Sequence, residues 1–375
     1  MQRANGQVVD AMASSRARSP LHTSSGAPPP KRSSGTLRQR RVQLPWPQDR
    51  EFRILSIDGG GIRGIYPAAI LAGLEERYLE GASVAQYFDL IAGTSTGGII
   101  SVGLAAGLKA ADLRDLYIGR GCEIFPPMRR GILGAAKRLL RNTSRYVIYC
   151  YDRQALMKIL CDTLGNRKFG EAKARLCVPS FEGRYGEVYI FKTPHHPDFR
   201  KDASEKMTKV AAATAAAPTF FRPLEDDGHT FVDGGVWASN PIMIALVDVL
   251  SCFSVSRHRV RILSLGCGDD PYAVGPSKRC LGGLWAWRDI IFAAMRLQSL
   301  NALGQAGLLI GADRIIRASP SMSGNRIQMD DWTRAVAELP GAAEAALDEL
   351  GESISKAFLS EPVGRYEPIS GGPLA

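Results

Sequence analysis

Residues 87–107 read YFDLIAGTSTGGIISVGLAAG, and the rest of the chain can be interpreted from this segment. The apolar run at its start predicts a buried strand, and the apolar residues at its end predict a helix. Between them Gly93, Ser95 and Gly97 form a G-x-S-x-G sequence, in the strand–turn–helix context of a nucleophile elbow. The two glycines tolerate a tight turn, and the helix N-terminus favours negative charge at the serine hydroxyl. Ser95 is therefore the first candidate for a nucleophile.

Two other interpretations of this segment stay open. A G-x-S-x-G sequence also occurs by chance in glycine-rich turns. In addition, the chain carries no charge from Leu90 to Leu108, and about 20 apolar residues suffice to span a bilayer. Five glycines and a Thr-Ser-Thr cluster in this range favour a buried strand, turn and helix over a membrane span.

Composition indicates a globular protein with a basic N-terminal tail. The chain has 375 residues, 45% of them apolar, which suits one large domain or two. Residues 1–50 hold nine Lys/Arg against two acids, so most of the net charge of +10 lies there. Residues 1–48 predict a disordered tail: a solvated leader, an organelle presequence, or an arm for anionic lipid or nucleic acid. The remainder is close to neutral, and no DNA or RNA partner is expected.

The seven cysteines include no C-x-x-C pair. Their spacing fits neither a zinc site nor a disulfide framework, which predicts reduced thiols and a cytoplasmic protein. No metal ligand set is predicted, and the N-terminus lacks the apolar segment of a secretory signal.

A second glycine-rich turn precedes the first by 34 residues. FRILSID, residues 52–58, predicts a buried strand, and the DGGGIRG loop that begins at its last residue leads into a helix. Strands that alternate with helices predict a parallel α/β sheet, in which both turns lie at the carboxyl edge where ligands bind. There the backbone N–H groups of Gly59, Gly60 and Gly61 can form a nest for an oxyanion.

The same loop also matches the dinucleotide fingerprint G-x-G-x-x-G, at Gly59, Gly61 and Gly64. That fingerprint requires an acid about 20 residues further on, at the end of the next strand. The acids from Glu75 to Glu80 fall instead on the first predicted helix. A phosphate-binding P-loop is disfavoured as well, since no Gly-Lys-Ser/Thr follows.

A serine nucleophile needs a proton acceptor. None of the five histidines lies in a loop typical of hydrolases, although His229 is close to Asp233 in sequence. Asp233 ends a predicted strand and opens a turn with Gly234 and Gly235, so its carboxylate is expected at the same edge as Ser95. Asp-Gly-Gly is also an ordinary turn sequence, and the assignment does not rest on it alone.

Three motifs in this order, DGGGIRG, GTSTG and DGG, resemble those of the patatin-like phospholipases. In that family they are the oxyanion loop, the nucleophile elbow and the second member of a Ser–Asp dyad. The resemblance extends to AAAPTFF (Ala215–Phe221) and FVDGGVWASNP (Phe231–Pro241) and covers residues 52–265. It implies a three-layer α/β/α sandwich with a central, mostly parallel sheet over residues 50–265. Residues 266–375 are predicted to form a mainly helical C-terminal extension that packs on this domain.

The resemblance also implies a mechanism. Asp233 takes the proton of Ser95 as general base, and the serine attacks a lipid ester to give an acyl-enzyme that water hydrolyses. Gly59, Gly60 and Gly61 are the implied oxyanion-hole residues. Neither a metal nor another cofactor is required.

Other residues of the motifs are expected to support this chemistry. Arg63 either shapes the glycine loop, meets a phosphate head group, or is a surface cation beside a turn, and Asp58 is expected to cap the turn. The supporting glycines are Gly64, Gly93, Gly97, Gly234 and Gly235.

The sequences DGGGIRGIYP and GTSTGGII, with a helical C-terminal extension, are also similar to bacterial patatin-type effectors of antiphage systems. Those effectors are switched on by a cyclic nucleotide and degrade membrane phospholipids. The likeness implies a cytoplasmic protein that acts peripherally on the inner membrane, with a cyclic di- or trinucleotide activator whose site the sequence does not place. Homo-oligomer formation stays open. The alternatives are a non-catalytic lipid- or nucleotide-sensing module on the same fold, or a dinucleotide-dependent oxidoreductase.

Overall fold

A mixed sheet forms the centre of the computed structural model, which describes residues 41–127, 150–268, 290–322 and 326–369. Within these ranges the sheet has eight strands. They are β1 (Phe52–Ile57), β2 (Leu90–Gly93), β3 (Arg175–Glu182), β4 (Glu187–Lys192), β5 (Leu224–Asp226), β6 (His229–Asp233), β7 (Val260–Leu265) and β8 (Ile315–Ala318).

Hydrogen-bonded neighbours follow the path β5-β6-β3-β2-β1-β7-β8, with β2 and β6 paired to different parts of β3, and β4 pairs with β3 outside this path. Neighbours from β3 through β2, β1 and β7 to β8 are all parallel. β4 and β6 are antiparallel to β3, and β5 is antiparallel to β6. The sheet is therefore mostly parallel, with an antiparallel group at one side.

Helices cover both faces of the sheet. They are α1 (Ile65–Tyr78), α2 (Thr96–Ala105), α3 (Ala110–Ile124), α4 (Arg153–Leu164), α5 (Met207–Thr214), α6 (Gly235–Ala238), α7 (Ile242–Cys252), α8 (Ile290–Ile310) and α9 (Trp332–Phe358). α1 to α5 and α9 contribute to one apolar core, and α7 and α8 contribute to a second.

The two cores lie on opposite faces because successive side chains of a strand point to opposite sides. In β1, Phe52 and Ile54 belong to the core of α7 and α8, whereas Leu55 and Ile57 belong to the core of the other helices. All four side chains are fully buried. The predicted three-layer α/β/α architecture is thus confirmed.

Residues beyond 265 contribute to the sheet as well as to the helical layers. β8 extends the sheet beside β7, and α9 lies against α1. The side chain of Leu347 covers Gly73, where a Cβ would come within 2.3 Å of it. The division into a domain and a mainly helical extension stays a prediction, to which the structure adds strand β8.

The N-terminal tail was predicted to be disordered through residue 48, and this was wrong for residues 41–48. The backbone N–H of Leu44 donates to Cys252 at 2.7 Å, and Trp46 is buried with its ring centroid 4.4 Å from that of Phe52. The buried indole of Trp46 contributes apolar contact area that the overall composition of residues 1–48 did not indicate. Residues 1–40 of the predicted tail lie outside the described residues.

No helix in the described ranges is both long and apolar enough to cross a bilayer. The uncharged segment from Leu90 to Leu108 is divided into β2, a turn and α2. The membrane-spanning interpretation of this segment is therefore wrong, and the strand–turn–helix interpretation is confirmed.

Candidate active site

The candidate site lies where two strands meet end to end along one edge of β3. β2 pairs with the first part of β3, with Ala92 opposite Cys177, and β6 pairs with the last part, with Asp233 opposite Ser180. β4 pairs with both Cys177 and Ser180, so it occupies the other edge. Because β2 is parallel to β3 and β6 is antiparallel, their carboxyl ends point at each other across Pro179.

Ser95 occupies the turn between β2 and α2. Its φ of 55° and ψ of −119° lie outside the regions that residues with a Cβ normally adopt. The backbone is crowded here: a Cβ on Gly93 would come within 2.1 Å of the Gly97 carbonyl oxygen, and one on Gly97 within 2.3 Å of that of Ile57. This strained strand–turn–helix geometry is that of a nucleophile elbow, and it leaves the serine partly exposed.

Ser95 and Asp233 are in direct contact. The Oγ of Ser95 donates to Oδ2 of Asp233 at 2.6 Å, and the backbone N–H of Gly235 donates to Oδ1 at 2.6 Å. Asp233 is only 4% exposed. Burial raises the pKa of Asp233 from 3.8 to about 7, although the two hydrogen bonds act to lower it. A buried carboxylate with one oxygen fixed by a backbone amide and the other on a serine can act as a general base near neutral pH.

The segment from Thr214 to Ala216 holds both members of this pair. The backbone N–H of Ser95 donates to Oγ1 of Thr214 at 3.0 Å, and that hydroxyl donates to the carbonyl of Pro179 at 2.6 Å. Two residues on, the carbonyl of Ala216 accepts from the N–H of Asp233 at 3.0 Å. Two residues of one short segment thus fix the backbones of the serine and the aspartate. We call this segment the 214–216 clamp.

Sequence reasoning missed this clamp, although a signal was present. Thr214 is the one polar residue in the run VAAATAAA, residues 210–217, and it is fully buried. A hydroxyl among buried alanines needs hydrogen-bond partners, and those nearby are the backbone of Ser95 and Pro179.

The glycine loop lies beside the serine, since a Cβ on Gly59 would come within 3.3 Å of Cβ of Ser95. The predicted role of Gly59 as an oxyanion donor is wrong, because its N–H already donates to the carbonyl of Ser239 at 2.9 Å. No acceptor contacts the N–H groups of Gly60 and Gly61 among the described residues. The candidate oxyanion donors are therefore these two amides.

Residues from beyond position 265 shape this loop. A Cβ on Gly60 would come within 2.2 Å of Cβ of Cys267. Gly61 has a φ of +60°, and a Cβ there would come within 2.4 Å of the carbonyl oxygen of Met329. The N–H of Ile62 donates to that same carbonyl at 2.9 Å. The close approach of Cys267 and Met329 explains why glycine is required at both positions.

Two charged residues of the loop are structural. Arg63 is buried, and its guanidinium donates to the carbonyls of Gly60 and Gly268, so it shapes the loop and is not a surface cation. Asp58 does not merely cap a turn: both its oxygens accept from the guanidinium of Arg317 in β8, at 3.1 and 2.6 Å. This bidentate pair ties the end of β1 to β8.

The remaining motif glycines allow close packing at the turns. A Cβ on Gly64 would come within 2.2 Å of Oγ1 of Thr96, and one on Gly234 within 2.3 Å of the carbonyl oxygen of Pro179. A Cβ on Gly235 would lie 3.0 Å from Oδ1 of Asp233. Side chains at these positions would displace the elbow or the aspartate.

Histidine takes no part in the site within the described ranges. His229 begins β6 and lies four residues from Asp233, about 13 Å along the strand. His195 lies on the face of the sheet that α7 and α8 cover, where its Nε2 contacts Oδ2 of Asp248 in α7 at 2.8 Å.

The side chains of Cys177, His195 and Asp248 lie close enough together to share a metal ion. The Nζ of Lys192, however, already contacts Oδ1 of Asp248 at 2.5 Å. Burial acts to raise the pKa of this carboxyl, but Lys192 and His195 hold it well below its usual value. The ammonium group therefore already supplies the positive charge that a metal ion would bring.

Comparison with known proteins identifies a family and several relatives of this chain. A profile described as patatin-like phospholipase matches residues 55–246. A "cGAMP-activated phospholipase" of Vibrio cholerae is 34% identical over 263 residues, which cover 65% of this chain and 74% of that protein. "Patatin-like protein 2" of Arabidopsis thaliana is 31% identical over 356 residues, which cover 85% of each. Among solved structures, that of VipD from Legionella pneumophila covers 83% of this chain and 71% of its own, with a TM-score of 0.40 and 13% identity.

Proposed function

The chain belongs to the patatin-like phospholipase family, and from this premise we propose that Ser95 and Asp233 cleave acyl ester bonds of membrane phospholipids. The observation that carries the assignment is the 2.6 Å hydrogen bond from Oγ of Ser95 to Oδ2 of Asp233, within a strained elbow. Membership of the family supports the reaction class, and the hydrogen bond between Ser95 and Asp233 supports the choice of these two residues.

In the first half of the reaction Asp233 acts as general base. Its ionised Oδ2 takes the proton of Ser95 while Oγ attacks the ester carbonyl, and the amides of Gly60 and Gly61 stabilise the oxyanion. When the tetrahedral intermediate collapses, the ester C–O bond breaks and Asp233 returns the proton to the departing lysophospholipid oxygen. The acyl group is then bonded to Ser95.

In the second half water takes the place of the alcohol. Asp233, ionised again, removes a proton from water as its oxygen attacks the acyl carbonyl, and the same amides stabilise the oxyanion. Collapse releases the fatty acid and returns the proton to Oγ of Ser95. Because Gly235 holds Oδ1, Oδ2 stays directed at the serine throughout.

A cyclic dinucleotide is the proposed activator. Three bacterial relatives that are 33–35% identical to this chain carry the name cGAMP-activated phospholipase. Their names support the same regulation here, in a cytoplasmic enzyme that acts peripherally on the inner membrane. Homo-oligomer formation remains part of this proposal.

Fatty-acid release from vesicles of mixed bacterial phospholipids tests the proposal. The purified full chain is incubated with and without a panel of cyclic di- and trinucleotides that includes cGAMP. We expect release that depends on one of these nucleotides and is absent in Ser95→Ala. Equal release by Ser95→Ala and the wild type would overturn the assignment of the nucleophile, and equal release with and without every nucleotide would overturn the switch.

A further inference from the structure

Helices α6, α7 and α8 form a surface that carries almost no charge. α8 turns Ala302, Ala306 and Ile310 into the second core. On its outer side Leu297 is 57% exposed, Leu300 40% and Leu308 90%. The exposed Val236 of α6 and Val247 of α7 belong to the same helical layer. We call the outer surface of these three helices the α6–α8 face.

Chance composition does not explain this lack of charge. Residues 234–256 contain one charged side chain, Asp248, which is buried and paired with Lys192. Residues 297–312 contain none. With 22% of the chain charged, segments of this combined length would ordinarily hold about nine charged residues. The outer side of α8 also exposes the uncharged polar residues Asn301 and Gln305. A surface helix that exposes three leucines and no charge indicates an interaction site.

Helix α8 also contacts residues that lie next to the Ser95–Asp233 pair. A Cβ on Gly235, whose N–H fixes Asp233, would lie 3.3 Å from Cε of Met295 in α8. One turn on, the side-chain oxygen of Gln298 accepts from the N–H of Ser239, at 3.1 Å. The first part of α8 therefore packs through Met295 and Gln298 beside the residues that follow Asp233, while Leu297 and Leu300 lie on its outer side, away from the dyad.

Cations accompany this face. The one charged residue of α8 is Arg296. At the other end of α8, the turn Arg257–Arg259 contacts the helix and exposes the two guanidinium groups of Arg257 and Arg259. No exposed acid lies on α6, α7 or α8 in the ranges that the structure describes, and the exposed Asp313 in the turn after α8 is paired with Arg314. An uncharged, largely apolar surface with arginines near both ends is complementary to a phospholipid bilayer, with its apolar interior and anionic head groups.

We propose that the α6–α8 face is the surface by which this protein lies on the phospholipid bilayer, with Leu297, Leu300 and Leu308 inserted among the lipids. The proposal rests on the proposed function, because it places the dyad at the level where acyl chains leave the membrane. α8 is about 31 Å long at 21 residues, and it lies along the membrane surface as an interfacial helix rather than across the membrane.

Flotation with vesicles of phosphatidylcholine and phosphatidylglycerol tests the surface directly. The binding measurement uses the full chain with Ser95→Ala, so that the vesicles are not degraded. In this background Leu297→Ser, Leu300→Ser and Leu308→Ser are combined and compared with Val188→Ser. Val188 is a matched control because it is also an exposed apolar side chain but lies on β4. We expect the vesicle partition coefficient to fall about tenfold for each leucine that inserts, and to stay within about twofold in the control.

Hydrolysis by the same triple variant with Ser95 intact separates docking from chemistry. We expect a loss of at least tenfold on vesicles, and kcat/KM on a soluble short-chain ester within about twofold of the wild type, with an unchanged melting temperature as evidence of folding. Equal vesicle partition of the triple variant and the control would overturn the proposal. The proposal would also be overturned if light scattering showed that the wild type is a dimer and the triple variant a monomer while vesicle partition stayed unchanged. A second copy of the chain would then cover the face. Absence of ester hydrolysis in the wild type with every cyclic nucleotide of the panel would overturn the proposed function, whereas the partition comparison would still decide whether the face binds lipid.

Discussion

Asp233→Asn is expected to stabilise the fold while it abolishes hydrolysis. Burial raises the pKa of Asp233 from 3.8 to about 7. At pH 8 the carboxylate is therefore higher in free energy in the folded protein than in the unfolded chain, which lowers the stability of the wild type. A shift of about three units corresponds to about 4 kcal/mol. Asparagine carries no charge, its oxygen still accepts from Gly235, and its NH₂ can donate to Oγ of Ser95. We therefore expect the free energy of unfolding at pH 8 to rise by up to about 4 kcal/mol.

The pH dependence of this gain has a definite sign. A carboxyl whose pKa is raised binds its proton more tightly in the folded than in the unfolded state. The wild type therefore loses stability as the pH rises from about 4 to about 7, and loses no more above about 7. Asp233→Asn lacks this loss of stability. The difference in free energy of unfolding between the variant and the wild type should therefore be about 2–3 kcal/mol larger at pH 8 than at pH 5.

Urea unfolding at pH 5 and pH 8, followed by circular dichroism, measures this difference. The matched control is Asp227→Asn, the same substitution at an exposed turn residue with a φ of 45°, which asparagine tolerates. Hydrolysis of a soluble ester should show an acidic limb with a midpoint near pH 7 in the wild type, and fall on the order of a thousandfold in Asp233→Asn. A stability difference that is the same at both pH values would refute the reasoning, because Asp233 would then titrate like an exposed carboxyl.

Two further predictions concern the groups around the dyad. Thr214→Val removes the acceptor of the Ser95 N–H and should lower kcat on a soluble ester about tenfold or more with little change in KM. Thr214→Ser keeps the hydroxyl and should keep kcat close to that of the wild type. An equal loss of kcat in both variants would contradict a positioning role for the hydroxyl. Gly60→Ala places a Cβ against Cys267 and should lower kcat on the order of a hundredfold by displacing an oxyanion donor. Adding Cys267→Gly removes the clash and should recover much of this loss, and a double variant no better than Gly60→Ala would count against a steric cause.

The two turns of the candidate site could be predicted because their signals are local. The elbow at Ser95 and the turn at Asp233 each follow an apolar strand, and glycine spacing marks both. Parallel strands place such turns at one edge of a sheet. The glycine loop also matched the dinucleotide fingerprint, but the acid that this fingerprint requires at the end of the next strand was absent from the sequence.

Contacts between distant parts of the chain could not be predicted from these patterns. Gly59 looked equivalent to Gly60 and Gly61, and only the folded chain shows that its N–H is taken by Ser239. The supports of the loop from Cys267 and Met329 lie more than 200 residues away in sequence. No periodicity encodes which carbonyl an amide will meet across that separation.

The meeting of β2 and β6 on a shared edge of β3 has a consequence for the protein during its synthesis. The elbow is translated long before the aspartate, which follows Ser95 by 138 positions. A ribosome-bound chain that ends before β6 carries a serine with no base, so it has no dyad with which to attack lipid. If Asp233 is the base, as proposed, the chain has no complete dyad until β5 and β6 have been translated and β6 has paired with β3 beside Pro179.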